Sequence, residues 1–401
     1  MFNFDFTYDF IYLFLFGLMM IVGNNVSKGK NYRLSCFWII LFFTLIEGVR
    51  YGRGVDYLHY IDVYNYDLEP KEVFFTAINR GLKSLGVTAE YAFMFYAFPF
   101  IWGGITFMKP MRKYGAYLFP LFLMSIIFIH ESFPRQAFSL SFVFFYMAKL
   151  NDIIETFPHR KIQIIQWAEL ATYALVAYSI HSVAIIGIFV TTLVMLFLKR
   201  PFPWVFTVPI ILIGKFVIAK SFDFSYINGL LQFLGSTNEK FGGYVDNANR
   251  WFSEEAINSL YDRNILVEIL ESFGCCSFAY LGCKFFSRFC EYKDKIKENI
   301  HKNRVLMSLG THYNLYVSLF NISIIGYIVF ETFYNLEIVR RVAYSWTIFW
   351  FVPISLILYY RNCRIFNKFD RLLMLGFFFW AWEFIRFLFV WEDVRMFIWD
   401  R

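Results

Sequence analysis

The chain alternates long apolar runs with short polar breaks from end to end. The apolar runs predict helices near 9–23, 35–49, 90–108, 116–130, 134–150, 165–180, 182–198, 203–220, 264–286, 313–331, 342–360 and 372–391, with 165–180 and 182–198 also readable as one bent span. Many approach the roughly 20 residues that a helix needs to cross hydrocarbon. The expectation is an all-α polytopic membrane protein with about 12 transmembrane helices, residues 1–401 forming one integral membrane domain. The first 24 residues lack a basic start and a small-residue cleavage site, so they read as a retained helix.

Composition supports lipid as the solvent. Hydrophobic residues make up 58% of the chain and charged residues 17%, against roughly 25% charged in an ordinary soluble domain. The 54 Phe and 27 Tyr imply that helices pack through aromatic side chains as well as small ones. A net charge of +7 does not imply nucleic acid, because the basic residues lie in short loops between apolar spans. Lys28, Lys30 and Arg33, then Lys109, Arg112 and Lys113, then Lys149, Arg160 and Lys161, then Lys199 and Arg200 fall in alternate loops. The run Lys284 to Arg304 and the loop Arg361 to Arg371 continue the series. Positive loops face the cytoplasm, which leaves both chain ends and two long segments, about 50–89 and 221–263, on the outer side. Cys276, Cys283 and Cys290 recur every seven residues, a packing period and not a zinc pattern.

Within the first long segment, residues 72–86 put Phe74, Ile78, Leu82 and Leu85 on one helical face, the pattern of a helix lying along the outer membrane surface. Charges inside spans read as packing contacts: Glu383 and Arg386, three apart, can pair, whereas Glu47, Lys215, Glu268 and Glu271 need partners or water.

Four outer elements could carry chemistry. The densest is RYGRGVDYLHYIDVYNYDLEP, residues 50–70, where Arg50, Arg53, Asp56, His59, Asp62 and Glu69 mingle with tyrosines and glycines. Guanidinium forks suit phosphate oxygens, and glycine lets backbone approach a ligand. Arginine and tyrosine are also ordinary interface anchors, which accounts for the tyrosines but not for so many carboxylates. The second, HESFPRQAFSL (130–140), places Arg135 and Gln136 at the outer start of a helix, where the helix end already favours anions. A snorkelling arginine would look the same. The third is YSIHS, whose His181 could act as a base or donor, or be satisfied by hydrogen bonds. The fourth, EIVRRVAYSW, brings Arg340 and Arg341 into a helix from outside, against the topological charge bias.

Taken in order, these elements resemble the EpsG family, within the broader Wzy-type O-antigen and capsule polymerases. In that family an arginine ends an early helix before a Gly-x-Asp-Tyr stretch, matched here by Arg50 before Gly54, Val55, Asp56 and Tyr57. The family's Arg-Gln pair looks like Arg135 and Gln136, its outer histidine like His181, and its late arginine like Arg340 or Arg341. Val55 stands where the family often has threonine.

The resemblance implies a C-type glycosyltransferase-like fold and a polysaccharide polymerase. Such an enzyme moves a growing glycan from undecaprenyl diphosphate to the next lipid-linked repeat unit, on the outer face of the bacterial inner membrane. The partners implied are lipid-linked donor and acceptor, membrane lipid and a Wzz-type chain-length regulator. No metal or other cofactor is implied, since arginines supply the positive charge. In this reading Arg50, Arg53, Arg135 and Arg341 stabilise the leaving diphosphate, Asp56 or else His181 takes the acceptor proton, and Tyr57 and Tyr60 stack on sugars. The segment 221–263 would cap the glycan groove. An O-antigen ligase would show similar arginines. A flippase would instead place its charges near mid-membrane.

Overall fold

A computed structural model describes residues 6–68, 72–156, 163–221, 265–296, 312–334, 336–389 and 396–397. The second outer segment, the cationic Arg160 and Lys161, and Glu69 lie outside the described residues.

The described chain is almost entirely helical. In order run α1 (Phe6–Ser27), α2 (Tyr32–Val49), α3 (Tyr57–Tyr66), α4 (Val73–Ser84), α5 (Ala89–Met108), α6 (Gly115–Ser132), α7 (Pro134–Thr156), α8 (Ile164–Ile180), α9 (Ala184–Phe197) and α10 (Trp204–Ile213). They are followed by α11 (Ile265–Ile296), α12 (Tyr313–Thr332), α13 (Glu337–Thr347), α14 (Phe351–Tyr359), α15 (Lys368–Leu373) and α16 (Phe378–Phe389). One short antiparallel pairing interrupts the helices: β1 (Arg50–Tyr51) meets β2 (Met396–Phe397), Arg50 opposite Phe397.

Each predicted apolar run falls on helix. Among the described residues, eight helical stretches are long and apolar enough to cross a bilayer: Tyr8–Ser27, Tyr32–Val49, Ala89–Ser132, Pro134–Thr156, Ile265–Phe289, Tyr313–Thr332, Val339–Tyr359 and Lys368–Phe389. Three further apolar helices, Ile164–Ile180, Ala184–Phe197 and Trp204–Ile218, are shorter. The 44 residues of Ala89–Ser132 are two α-helices joined by a 3-10 turn, Lys109–Tyr114. The break at His181 separates α8 from α9, so the expected sixth and seventh runs are two helices.

Aromatic rings fill the centre. Phe144 of α7 touches Phe100, Phe107, Phe122 and Phe349, with centroids 5.7–6.0 Å apart. Where rings are absent, backbones meet directly: a Cβ added to Gly23 of α1 would come within 2.2 Å of the Gly115 carbonyl oxygen of α6. Small residues at such crossings are what let helices approach without an aqueous hydrophobic effect between them.

Charges inside spans find one another. Arg386 donates to Glu383 at 2.8 Å, the expected pairing. Lys215, in a π-helical turn continuing α10, sits 2.5 Å from Glu271 and 3.1 Å from Glu331. Lys220 lies 3.8 Å from Glu268.

The first long segment folds as a cap: α3 and α4 build a second core with α5, α7 and α8 around Tyr57, Tyr60, Phe75, Leu82, Phe93 and Tyr96. The face of α4 that is buried carries Phe75, Asn79 and Leu82, while Phe74 and Leu85 are exposed. On the buried face the Asn79 side-chain oxygen accepts a hydrogen bond from the Tyr96 hydroxyl at 2.5 Å, which apolar periodicity does not register.

Replacing Gly23 by Ala is expected to push α1 from α6 and cost about 1–3 kcal/mol of overpacking. Gly17→Ala, on the same helix with nothing within 4 Å of its added Cβ, should be neutral. Thermal unfolding of the purified variants in detergent measures the difference.

Candidate active site

The chain leaves the end of α2 through two arginines that turn inward. Arg50 and Arg53 are both fully buried. Glu47, one turn before, forms an ion pair with Arg50, Nε to Oε2 3.3 Å, and is hydrogen-bonded to the His130 Nδ1 at 2.8 Å and the Tyr12 hydroxyl at 2.9 Å. Arg50 also donates to the carbonyl oxygens of Arg53 and, at 3.2 Å, Glu131. Arg53 pairs through Nε with the Glu131 carboxylate and donates to the Phe387 carbonyl at 2.7 Å. Both guanidiniums lie against rings: Arg50 over Tyr57 and Phe93 at 5.2 and 5.4 Å, Arg53 over Tyr8 and Phe387 at 4.8 and 4.4 Å.

Gly54 is forced by this packing. Its φ is +105°, and a Cβ there would lie 1.9 Å from the Glu131 carbonyl oxygen. The close passage delivers Asp56, whose amide donates to the Ser132 carbonyl at 3.2 Å. Asp56 occupies the N-cap of α3, yet its side chain makes no capping bond. Its Oδ2 instead meets Nη1 of Arg341 at 3.2 Å. In contrast to the arginines beneath, this pair is open: the Arg341 and Asp56 side chains are 35% and 19% exposed.

Three further residues converge on it. Gln136, in the first turn of α7, donates to the Arg341 carbonyl at 2.6 Å and to Ser345 Oγ at 3.2 Å, so it fixes α13 against α7. Arg135 beside it lies near the Tyr60 and Phe75 rings, at 5.7 and 6.0 Å. His181 lies between α8 and α9, its Nδ1 4.0 Å from Glu72, which accepts from the Ser182 amide and hydroxyl at 3.2 Å each. Burial and the positive Arg135 and Arg341 push its pKa down to about 3.

The ten residues singled out by sequence therefore divide. Asp56, Arg341, Arg135, Gln136 and His181 gather at one end of the bundle, although they come from four stretches of chain. Arg50 and Arg53 lie beneath, engaged with carboxylates and carbonyls. Tyr57 and Tyr60, expected to stack on sugars, are buried: Tyr57 stacks on Phe93 at 4.5 Å and donates to the Arg50 carbonyl at 3.1 Å. Arg340 turns elsewhere, over the Tyr334 ring at 5.1 Å.

Sequence reading missed Glu72 and Glu131 as partners of the site. Glu72 precedes a helix and reads as an ordinary capping residue. Glu131 lay inside a quoted segment, but nothing local pairs it with an arginine 78 positions away.

Arg53→Ala leaves Glu131 as an uncompensated buried charge and should cost about 3–5 kcal/mol of stability, lowering the amount of folded protein in membranes. Arg341→Ala, at an open pair, should leave that amount near wild type; quantitative blotting and unfolding curves compare them. The depressed His181 pKa sets a pH signature. The unfolded chain binds the proton first as pH falls below about 6.5, so stability is lost progressively from there toward pH 3. A His181→Gln variant should show a flatter melting temperature between pH 7 and pH 5 than wild type, read in detergent across that range.

No curated protein matches the chain, and no solved structure matches it. One family model does, over residues 33–396, which include every element of the site. Members of that family are Wzy-like polymerases. The eight apolar spans and this match together make the chain a membrane protein of the EpsG family, with the polysaccharide polymerase-type role that the family carries.

Proposed function

We propose that the protein is a glycosyltransferase that moves a growing glycan from undecaprenyl diphosphate onto the next lipid-linked repeat unit, at the outer face of the bacterial inner membrane. The observation that carries the reading is the partly exposed Asp56–Arg341 pair, with Arg135 and His181 in electrostatic reach. It sits at the end of the bundle opposite the basic loops 28–33 and 109–113. In the topology proposed, the Ala89–Ser132 stretch crosses twice, since 44 residues of helix reach roughly twice the ~30 Å of hydrocarbon. The three shorter helices cross once each, giving about twelve crossings and a C-type glycosyltransferase-like arrangement.

In the reaction, the acceptor hydroxyl oxygen bonds to the anomeric carbon of the donor glycan. The bond from that carbon to the diphosphate oxygen breaks, and its electron pair leaves with the diphosphate. Arg341 and Arg135 neutralise the leaving charge, and the Asp56 carboxylate takes the hydroxyl proton. Asp56 and Arg341 neutralise each other in the structure, so a diphosphate that claims Arg341 also releases the base. Donor binding and base activation become one event. His181, neutral above about pH 3, serves as a hydrogen-bonding group and not as the base. Arg50 and Arg53 act through position, holding the Gly54–Asp56 turn. Arginine charge suffices for the leaving group without a metal, and a Wzz-type regulator is the partner that would set chain length.

Complementation of cells lacking the gene tests the reading. Wild type should restore a polysaccharide ladder, while Asp56→Asn and Arg341→Ala, at normal membrane levels, should lower polymer by about 10²- to 10⁴-fold and leave single repeat units. Full-length polymer persisting on the lipid carrier without the gene would overturn the polymerase and favour a ligase that acts after it.

A further inference from the structure

Arg340 and Arg341 are neighbours on α13, but their side chains serve different spaces. Arg341 meets Asp56, whereas Arg340 enters a separate cavity of about 350 Å³ between α6, α11, α12, α13 and α16. Tyr334, Tyr344, Trp350 and Trp380 form its walls, and Arg340, Glu383 and Arg386 supply its charge. Resting on the polymerase reading, we propose that this cavity is a glycosyl subsite, which takes one pyranose unit of the lipid-linked oligosaccharide next to the reacting centre.

Size is the first argument, since small-molecule sites begin at roughly 300 Å³ and are mostly apolar with a few convergent polar groups. Chemistry is the second. A pyranose presents C–H faces that pack on aromatic rings and hydroxyl edges that seek carboxylates and guanidiniums. The rings here are fixed: Trp350 and Trp380 stack at 5.2 Å, and the Trp380 indole donates to the Tyr327 hydroxyl at 2.7 Å. At the charged side Arg386 donates to Glu383 at 2.8 Å, and both side chains are about a third exposed. Among the described residues, the Arg340 Nε is buried without a hydrogen-bond partner. A prenyl chain would bury the two guanidiniums against hydrocarbon and leave the Arg340 Nε unsatisfied. A hydroxylated ring satisfies them.

Location is the third. One aromatic layer separates the cavity from the Asp56–Arg341 pair. Tyr344 and Phe128, in its wall, touch at 5.3 Å; Tyr344 contacts Phe133 at 5.8 Å, and the Arg341 guanidinium lies 4.5 Å from that ring. Arg340 and Arg341 thus serve the two sides of one aromatic layer, and the cavity lies next to the pair.

Calorimetric titration of the full chain in nanodiscs tests the subsite with two probes, the repeat-unit oligosaccharide released from its lipid by mild acid and farnesyl diphosphate. The oligosaccharide should bind wild type, and Arg340→Ala and Glu383→Gln should each weaken it by about tenfold, the loss of roughly one charge-assisted hydrogen bond. Farnesyl diphosphate binding should be indifferent to Arg340→Ala and Glu383→Gln. Tyr344→Leu, with the same expected weakening, replaces Arg340→Ala if that variant fails to accumulate. Oligosaccharide affinity unchanged by the cavity variants, or farnesyl diphosphate affinity lost to them, overturns the subsite. Because binding is read without turnover, a chain that supports the polymer ladder yet fails this test loses the subsite alone. One that passes it yet is dispensable for the ladder loses the polymerase reading alone.

Discussion

The interaction on which the site depends is the burial of two arginines against two glutamates at the end of α2. Arg50 with Glu47 and Arg53 with Glu131 place four ionisable side chains where no solvent reaches. Such pairs are costly to desolvate and contribute little net stability over apolar packing, but breaking one is strongly destabilising. They therefore act as a constraint on position. With His130, Tyr12 and the carbonyls of 53, 131 and 387 recruited as further partners, they tie α1, α2, α6 and α16 together below the site.

That anchoring explains how a tight, glycine-dependent turn is held in place beside Asp56. Gly54 passes against the Glu131 backbone, Asp56 emerges on the far side, and its side chain is given to Arg341 and not to capping its own helix. Gln136 performs the matching service on the opposite wall by holding the α13 backbone at Arg341. The Asp56–Arg341 pair is thereby kept partly open, while the charges beneath it are sealed. Neighbouring arginines serve different spaces, Arg341 the Asp56 carboxylate and Arg340 the aromatic cavity.

The membrane class and the helices were legible because apolar run length is a local property that lipid enforces on every span. The outer arginine-bearing elements were legible too, since hydrophobicity alone does not require HESFPRQ or EIVRRV. The cap formed by α3 and α4 was not. Its apolar stripe matched an interfacial helix, whereas the face that is buried, Phe75, Asn79 and Leu82, is set by packing on α5 and α8 and includes the hydrogen bond between Asn79 and Tyr96.

By itself, then, the sequence determined the all-helical membrane architecture, the basic loops opposite the candidate site, and the family pattern of Arg50, Asp56, Arg135, His181 and the 340–341 pair. Only the tertiary structure decided which arginines are sealed and which are open, that Tyr57 and Tyr60 belong to the core, and that Glu72 and Glu131 complete the site. The reason is physical. Periodicity and composition report each residue's preference for lipid or water, whereas a charge's role depends on which distant partner neutralises it. Glu131 and Arg53, or Asp56 and Arg341, become neighbours only when the helices pack.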